Sequence, residues 1–182
     1  MNCVEPIRDS EKVKVISSYL KMNSPRDFIM FYIGIYSGLR ISDILKLRVC
    51  DVKGKDRINI REKKTSKQKI FPINPILKKE IKVYCEGKNL NQYLVLSREG
   101  KNKPLGRVRA YQIMKDVGSL FDIPDLGTHT LRKSFGYYHY KQYKDIALLQ
   151  IMFNHSSQHI TLKYIGIEQE NINKSIKNFK IF

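Results

Sequence analysis

The pattern of apolar positions predicts a chain built mostly of helices. Val13, Ile16 and Leu20 recur at helical spacing and mark a first helix. A second helix is predicted from Arg26 to about Tyr36, with Pro25 suited to its first turn. This second helix is apolar nearly all round, so we expect it to lie in the core.

The same spacing predicts helices along the rest of the chain. A tight turn at Ser37–Arg40 separates the core helix from the next one. The predicted helices that follow cover residues 41–47, 74–86, 108–121, 128–143, 145–153, 160–165 and 168–179.

One segment departs from the helical pattern. Residues 57–61 and 68–73 alternate between apolar and polar positions, which is typical of strands. Between them lies the lysine-rich stretch 62–67, so we predict a β-hairpin with a cationic tip, preceded by a third short strand. The tip is interpreted either as a solvated face or as a segment that enters a DNA groove. The predicted fold class is mainly α (α+β), in a single domain over residues 1–182.

Charge narrows the range of partners. The chain has 34 Lys and Arg against 17 Asp and Glu, a formal net charge of +17. Such an excess repels itself unless a polyanion neutralises it, and nucleic acid is a commoner polyanion than an anionic membrane. A basic protein without a polyanion remains the alternative. No run of about 18 apolar residues predicts a membrane span, and the start of the chain lacks a secretion signal.

The cysteines indicate a reducing compartment. Cys3, Cys50 and Cys85 are odd in number and far apart, with no C-x-x-C pair. This pattern is typical of free thiols and not of a disulfide framework. We therefore predict a cytoplasmic protein.

Four residues near the end of the chain suggest a site for an anionic oxygen. His129 and Arg132 share one face at the head of a predicted helix, and His155 precedes Tyr164 by one short helical element. Arg40 follows the predicted turn and starts a helix, where backbone N–H groups favour anions. Each residue alone has an ordinary explanation as a solvated or packing side chain, but together they suggest a phosphodiester site.

The residue types also suggest a reaction. Arginine donates two hydrogen bonds to phosphate oxygens, and donors placed there stabilise the transition state. The Tyr164 hydroxyl, deprotonated by His129, could attack phosphorus and form a phosphotyrosyl ester. A lysine at the hairpin tip could protonate the leaving oxygen. Asp43 is suited to orient Arg40 or His129, and no metal site or cofactor is predicted.

At this point the residues resemble the catalytic domain of the tyrosine recombinases, the phage-integrase family. Ser37-Gly-Leu-Arg-Ile-Ser-Asp43 is similar to the box that holds the family's first arginine. Thr128-His-Thr-Leu-Arg-Lys-Ser-Phe135 is similar to its H-x-x-R box. Asn154-His-Ser-Ser157 and Thr161-Leu-Lys-Tyr164 are similar to the segment with the second histidine and the nucleophile.

The resemblance implies a fold, a reaction and a role for each site residue. The fold would be a helical bundle with a small three-stranded antiparallel sheet. The reaction would be metal-independent, site-specific strand breakage and rejoining on double-stranded DNA. The implied roles are phosphate binding by Arg40, Arg132 and His155, base assistance by His129, support by Asp43, nucleophilic attack by Tyr164, proton donation by Lys64, and DNA binding by Lys63, Lys67, Lys69 and Lys133.

Some questions stay open at this stage. A type IB topoisomerase-like nicking-closing enzyme needs the same residues, and a non-catalytic DNA-binding regulator could keep the same fold. The chain lacks the helical core-binding domain of typical integrases, so it is similar either to an excised fragment or to short single-domain members such as fimbrial-type inversion recombinases. The resemblance also implies a homo-oligomer, a tetramer on paired sites, with residues 168–182 as a contact between protomers.

Overall fold

The computed structural model of the chain describes residues 4–61 and 68–181. Helices predominate, and the elements in chain order are α1 (Ser10–Asn23), α2 (Pro25–Ser37), α3 (Ile41–Ile44), α4 (Val49–Val52), β1 (Arg57–Arg61), β2 (Gln68–Pro72), α5 (Pro75–Tyr84), α6 (Arg107–Leu120), α7 (Thr128–Tyr143), α8 (Ile146–Phe153), α9 (Gln158–Tyr164) and α10 (Ile167–Asn178). The predicted helices are confirmed in type, and most boundaries agree within two residues. The helix predicted over residues 41–47 is shorter and ends at Ile44.

Helix α2 forms the centre of the main core, as its apolar sequence predicts. It begins at Pro25 and packs against α1, α5 and α7. Gly38 caps its C-terminal end and adopts a left-handed conformation with φ 63°. A Cβ at Gly38 would lie 2.4 Å from Cδ1 of Phe135, so glycine is required both by the backbone and by this close approach to α7.

The predicted hairpin is confirmed, but the prediction of a third strand is wrong for the residues that the structure describes. Strands β1 and β2 pair antiparallel, with Arg57 opposite Pro72. The segment that precedes them forms the short helix α4 instead of a strand. Its first turn is stabilised because the Asp51 carboxylate accepts a hydrogen bond from the Arg48 main-chain N–H at 2.7 Å. The predicted cationic tip lies outside the described residues.

A second, smaller apolar cluster holds the C-terminal helices to α7. Its buried members are Tyr137, Leu149, Phe153, Ile165 and Ile167. Phe153 ends α8 and Ile165 follows α9, so this cluster sets the positions of the two helices that flank the segment 154–157. It is the packing that brings the residues at the ends of α8 and α9 towards α7.

Helix α10 lies at the surface beyond its first turn. Ile167 is buried, whereas Ile172, Ile176 and Phe179 are 49%, 72% and 70% exposed. Glu170 anchors the helix through ion pairs with Lys141 on α7 and with Lys174. In the described part of the chain, no helix combines the length and the apolar character needed to cross a membrane.

Candidate active site

Arg132 links three separate parts of the chain. Its side chain is 5% exposed, and its Nη1 donates to the Gly38 carbonyl oxygen at 2.6 Å. Its Nη2 donates to the Phe153 carbonyl oxygen at 3.0 Å, and its Cζ lies 4.2 Å from the centre of the Phe153 ring. The guanidinium thus joins α7 to the turn after α2 and to the end of α8.

The environment of Arg132 is that of a buried cation near a potential anion site. Burial lowers the pKa of Arg132 to about 10, and the nearby positive charge of Arg40 acts in the same direction. Tyr164, which shares a hydrogen bond with Arg132, and the carboxylate of Asp43 both oppose this shift. Arg132 therefore stays charged at neutral pH. Because a guanidinium has five N–H donors, those not used by the two carbonyls can face a phosphate.

The helix that carries Arg132 also places His129 beside it. Helix α7 begins after Gly127, whose main-chain N–H donates to Thr130 Oγ1 at 3.1 Å. His129 lies in this first turn and is exposed. Partial burial lowers its pKa, with further contributions from the positive charges of Arg132, Lys133 and Arg40. His129 is therefore neutral at pH 7, as a proton acceptor must be.

His155 lies in the turn between α8 and α9. Asn154 makes this turn possible by adopting a left-handed conformation with φ 55°. His155 Nδ1 lies 3.1 Å from Thr161 Oγ1, and that hydroxyl donates to the Ser157 carbonyl oxygen at 3.1 Å. Since the hydroxyl hydrogen is used there, Thr161 accepts a hydrogen bond from Nδ1–H, and Nε2 is left to face a ligand.

The pKa of His155 is lowered, mainly by burial and further by Arg132 and Arg40. An anionic phosphate would reverse the effect of these two positive charges. It would favour a protonated Nε2 that donates to the phosphate. His155 is therefore suited to bind an anion.

Tyr164 ends α9 with its ring packed among the other site residues. The ring centre lies 5.1 Å from that of His155 and 5.6 Å from that of Phe153, both in edge-on contact. Nζ of Lys133 lies 5.1 Å from the ring centre. Ser157 caps the start of α9, and its Oγ accepts a hydrogen bond from the Ile160 main-chain N–H at 3.2 Å. A serine cap and an apolar cluster thus hold the tyrosine in place.

The structure brings together most of the residues singled out from the sequence. The residues within electrostatic or contact range of Arg132 are Arg40, Asp43, His129, His155 and Tyr164. Arg40 is exposed and caps α3, and Asp43 acts on Arg132 by its charge. The predicted lysines Lys63, Lys64 and Lys67 lie outside the described residues. Lys69 belongs to β2, where its main chain pairs with Ile60.

Two features of the site were missed by the sequence reasoning. Lys133, predicted to bind DNA, is only 5% exposed, and its ammonium lies beside the Tyr164 ring. Phe153 supplies both a carbonyl acceptor and an aromatic face to Arg132. Because Lys133 directly follows Arg132, the sequence already indicated that it lies near the site. Its contact with the Tyr164 ring depends on how α9 packs. Among the described residues, no cluster of three His, Cys, Asp or Glu could hold a metal ion.

The remaining histidines have other surroundings. His139 lies between Phe135 and Tyr143, with ring centres 5.6 and 4.8 Å away and the rings tilted to one another. His159 is 72% exposed and lies 4.0 Å from Glu168. Neither contacts Tyr164 or Arg132 in a described interaction.

Comparisons with known proteins agree on one family. The model of the phage integrase family matches residues 8–171. The probable integrase/recombinase YoeC of Bacillus subtilis (strain 168) is 43% identical over 179 residues, which cover 98% of each chain. The tyrosine recombinase XerA of Thermococcus onnurineus (strain NA1) is 29% identical over 169 residues, covering 91% of this chain and 59% of XerA. The chain thus spans nearly all of one relative and about 59% of the other.

Solved structures show the same fold. The crystal structure of a XerA recombinase matches with a TM-score of 0.75 at 18% identity, covering 98% of this chain and 67% of that one. The structure of the XerH site-specific recombinase bound to a palindromic difH substrate, in a post-cleavage complex, matches with a TM-score of 0.72 at 16% identity. It covers 97% of this chain and 54% of XerH.

Proposed function

The chain belongs to the phage integrase family of tyrosine recombinases, enzymes that cleave and rejoin DNA, and we propose that Tyr164 is its nucleophile. The observation that supports this role is the convergence on one tyrosine. Arg132 shares a hydrogen bond with Tyr164, and His155 contacts its ring at 5.1 Å. A phosphodiester that reaches both residues would have its phosphorus within reach of the hydroxyl.

The proposed cleavage proceeds by in-line displacement at phosphorus. Arg40, Arg132 and His155 donate hydrogen bonds to the non-bridging oxygens and stabilise the charge that grows on them. The phenol oxygen of Tyr164 gives its proton to His129 and forms a bond to phosphorus. The bond from phosphorus to the 5′ oxygen breaks, which leaves a 3′-phosphotyrosyl ester.

Cleavage is completed when the departing 5′ oxygen takes a proton from a lysine of the hairpin, for which the resemblance designates Lys64. Rejoining runs through the same groups in the opposite direction. An incoming 5′ hydroxyl then attacks phosphorus and gives its proton to the lysine, while the bond from phosphorus to Tyr164 breaks and the phenol oxygen takes its proton back from His129. Because the ester conserves the energy of the broken bond, the chemistry as proposed needs no metal ion and no nucleotide cofactor.

Double-stranded DNA is the proposed substrate. The net charge of +17 supports a polyanionic partner. Strands β1 and β2 pair on either side of residues 62–67, and we propose that Lys63 and Lys67 in this stretch, together with Lys69, contact the DNA. Among the structural relatives, XerH was solved bound to its difH substrate. We also propose that the protein acts in the cytoplasm, as the unpaired cysteines suggest.

A covalent adduct tests the proposed function. The full chain is incubated with a pool of nicked suicide duplexes whose central segment is randomised. Denaturant-stable protein–DNA adducts are isolated, and their DNA is sequenced. The expected result is an adduct enriched in one sequence, absent with Tyr164→Phe and retained with Tyr140→Phe. An adduct that persists undiminished in Tyr164→Phe would overturn the assignment.

Two alternative functions can be separated with the same selected duplex. A nicking-closing enzyme would rejoin the original ends, whereas a recombinase would join the cleaved end to a second duplex. A DNA-binding regulator would retain the duplex without forming an adduct. The comparisons favour neither alternative, because the named relatives are integrases and recombinases.

The exposed apolar side of α10 supports an oligomer as the active form. Ile172, Ile176 and Phe179 leave a large apolar area in solvent, although ion pairs of Glu170 hold the start of the helix. We propose that residues 168–182 pack on a neighbouring copy of the chain when a tetramer assembles on two DNA sites.

A further inference from the structure

Lys133 is buried at the nucleophile. Its side chain is 5% exposed, and lysine is rarely buried unless its charge is compensated. The residue follows Arg132 on α7, and its Nζ lies 5.1 Å from the centre of the Tyr164 ring. This cation therefore lies close to the group that has to become negative during cleavage.

The other groups near Tyr164 also have further tasks. Arg132 shares a hydrogen bond with Tyr164, but it also bonds to two carbonyls and, as proposed, to the phosphate. His155 contacts the ring and bonds to Thr161 through Nδ1. Arg40 acts on Arg132 and His155 by its charge. Once a phosphate neutralises the charges of these residues, Lys133 stays beside the ring and has a greater influence on the phenolate than they do.

A cation beside a tyrosine favours the deprotonated form. The face of a neutral phenol attracts an ammonium weakly, but a phenolate attracts it through a full opposite charge. An opposite charge within about 4–6 Å favours ionisation of a titrating group by about 1–3 pH units. The Lys133 ammonium lies 5.1 Å from the centre of the Tyr164 ring, over which part of the charge of a phenolate is delocalised.

We propose that Lys133 is a positioning residue for strand cleavage, which holds the Tyr164 ring and stabilises its phenolate while keeping its own proton. This inference rests on the proposed role of Tyr164. The phenol proton still passes to His129, and the leaving 5′ oxygen still takes its proton from the hairpin. Lys133 affects the position of the ring and how readily the phenol ionises, and it transfers no proton.

The test measures the ionisation of Tyr164 directly and needs no DNA. The full chain is produced with difluorotyrosine, whose phenol is more acidic than that of tyrosine, so that titration is followed by fluorine NMR before alkaline unfolding. The Tyr164 signal is identified by its loss in Tyr164→Phe. In Lys133→Met, the titration midpoint of Tyr164 is expected to rise by about one pH unit or more.

Two variants separate charge from packing. Lys133→Arg keeps the charge and is expected to hold the midpoint within about 0.3 units of wild type. Lys163→Met removes an exposed lysine next to Tyr164 in sequence. It is expected to leave the titration midpoint of Tyr164 within about 0.3 units of wild type as well. If Lys133→Met does not fold, Lys133→Gln replaces it in the same titration, with the same expected rise.

The inference is overturned if the folded Lys133→Met or Lys133→Gln variant titrates at the wild-type midpoint. It is also overturned if Lys133→Arg moves the midpoint as far as Lys133→Met does, because packing would then account for the effect. These results are distinguishable from failure of the proposed function, which would show as the absence of a Tyr164-dependent DNA adduct whatever the midpoint.

Discussion

Arg132 donates a hydrogen bond from Nη1 to the main-chain oxygen of Gly38 over 2.6 Å. The arginine proposed to hold the phosphate is therefore itself held by the turn that leads to Arg40. A second bond to the Phe153 carbonyl fixes the other side of the same guanidinium. The two proposed phosphate-binding arginines thus depend on one another through the main chain, although residues 40 and 132 are far apart in sequence.

Arg132→Lys should remove most activity even though it keeps the charge. A lysine cannot bond to both carbonyls and also present a fork to a phosphate. We expect adduct formation to slow by about 100-fold or more, measured under single-turnover conditions on the selected duplex.

The same substitution should also reduce stability. Leaving a buried carbonyl without a partner costs about 1–3 kcal/mol in the free energy of unfolding, measured by urea denaturation. The exposed Arg109 provides the control, since Arg109→Lys should change stability by less than about 0.5 kcal/mol. Cleavage by Arg132→Lys at the wild-type rate would remove Arg132 from the proposed mechanism.

Gly136→Ala should displace the helix that ends at the nucleophile. A Cβ at Gly136 would lie 2.6 Å from Cγ2 of Ile165 and 2.8 Å from Cε2 of Phe153. Because neither atom belongs to a long flexible side chain, the clash should push α9 away from α7. We expect a loss of about 1–3 kcal/mol in unfolding free energy, with slower adduct formation.

Gly106 provides a control for that experiment, because a Cβ there meets nothing within 4 Å. Gly106 precedes α6 with φ −72°, so alanine is allowed by the backbone. We expect Gly106→Ala to leave adduct formation at the wild-type rate. Equal losses in both alanine variants would mean that contact between α7 and α9 does not position Tyr164.

Stability should fall as the pH drops below the ordinary histidine pKa of 6.5. Burial, with neighbouring positive charges, lowers the pKa of both His129 and His155 in the folded chain. Between the folded and unfolded pKa values, the unfolded chain binds more protons, so the free energy of unfolding decreases with falling pH. Above pH 6.5 the contribution of these two residues is fully present.

Urea denaturation at several pH values between about 5 and 7.5 measures this dependence. His139 contributes with the same sign, because burial lowers its pKa also. Glu170 titrates in a lower window, since ion pairs with Lys141 and Lys174 hold its pKa at about 2. The double variant His129→Gln, His155→Gln should show a smaller slope than wild type, and an unchanged slope would contradict the burial of neutral histidines.

Ile176→Glu should weaken assembly without weakening the fold. The side chain is 72% exposed on α10, so the substitution should change the unfolding free energy by less than about 0.5 kcal/mol. We expect a loss of two-duplex complexes in sedimentation experiments with the selected DNA, while binding to a single site persists. Lys177→Glu, on the same helix, controls for the added negative charge. Wild-type assembly by Ile176→Glu would argue against α10 as the contact.

The sequence predicted the helices well because their positions depend on local pattern. The apolar character of α2 follows from its residues alone, and the spacing of His129 and Arg132 places them on one face. The partners of Arg132 could not be predicted, because they are main-chain oxygens at residues 38 and 153 whose approach depends on tertiary packing. The contact of Lys133 with the Tyr164 ring could not be predicted for the same reason.

The predicted third strand failed for a different reason. Residues 49–52 are apolar enough for a strand, but Asp51 caps the main-chain N–H of Arg48 and closes a helical turn. A side-chain hydrogen bond of this kind competes with strand pairing and leaves little trace in apolar periodicity.

The site of covalent attachment tests the central claim most directly. Adduct from the selected suicide duplex is trimmed with nucleases and digested with protease, and the modified peptide is identified by mass spectrometry. The chain has 11 tyrosines. We predict a nucleotide joined through phosphate to Tyr164 and to none of the other ten. A nucleotide on a different tyrosine, or on a serine, would contradict the mechanism proposed for this chain.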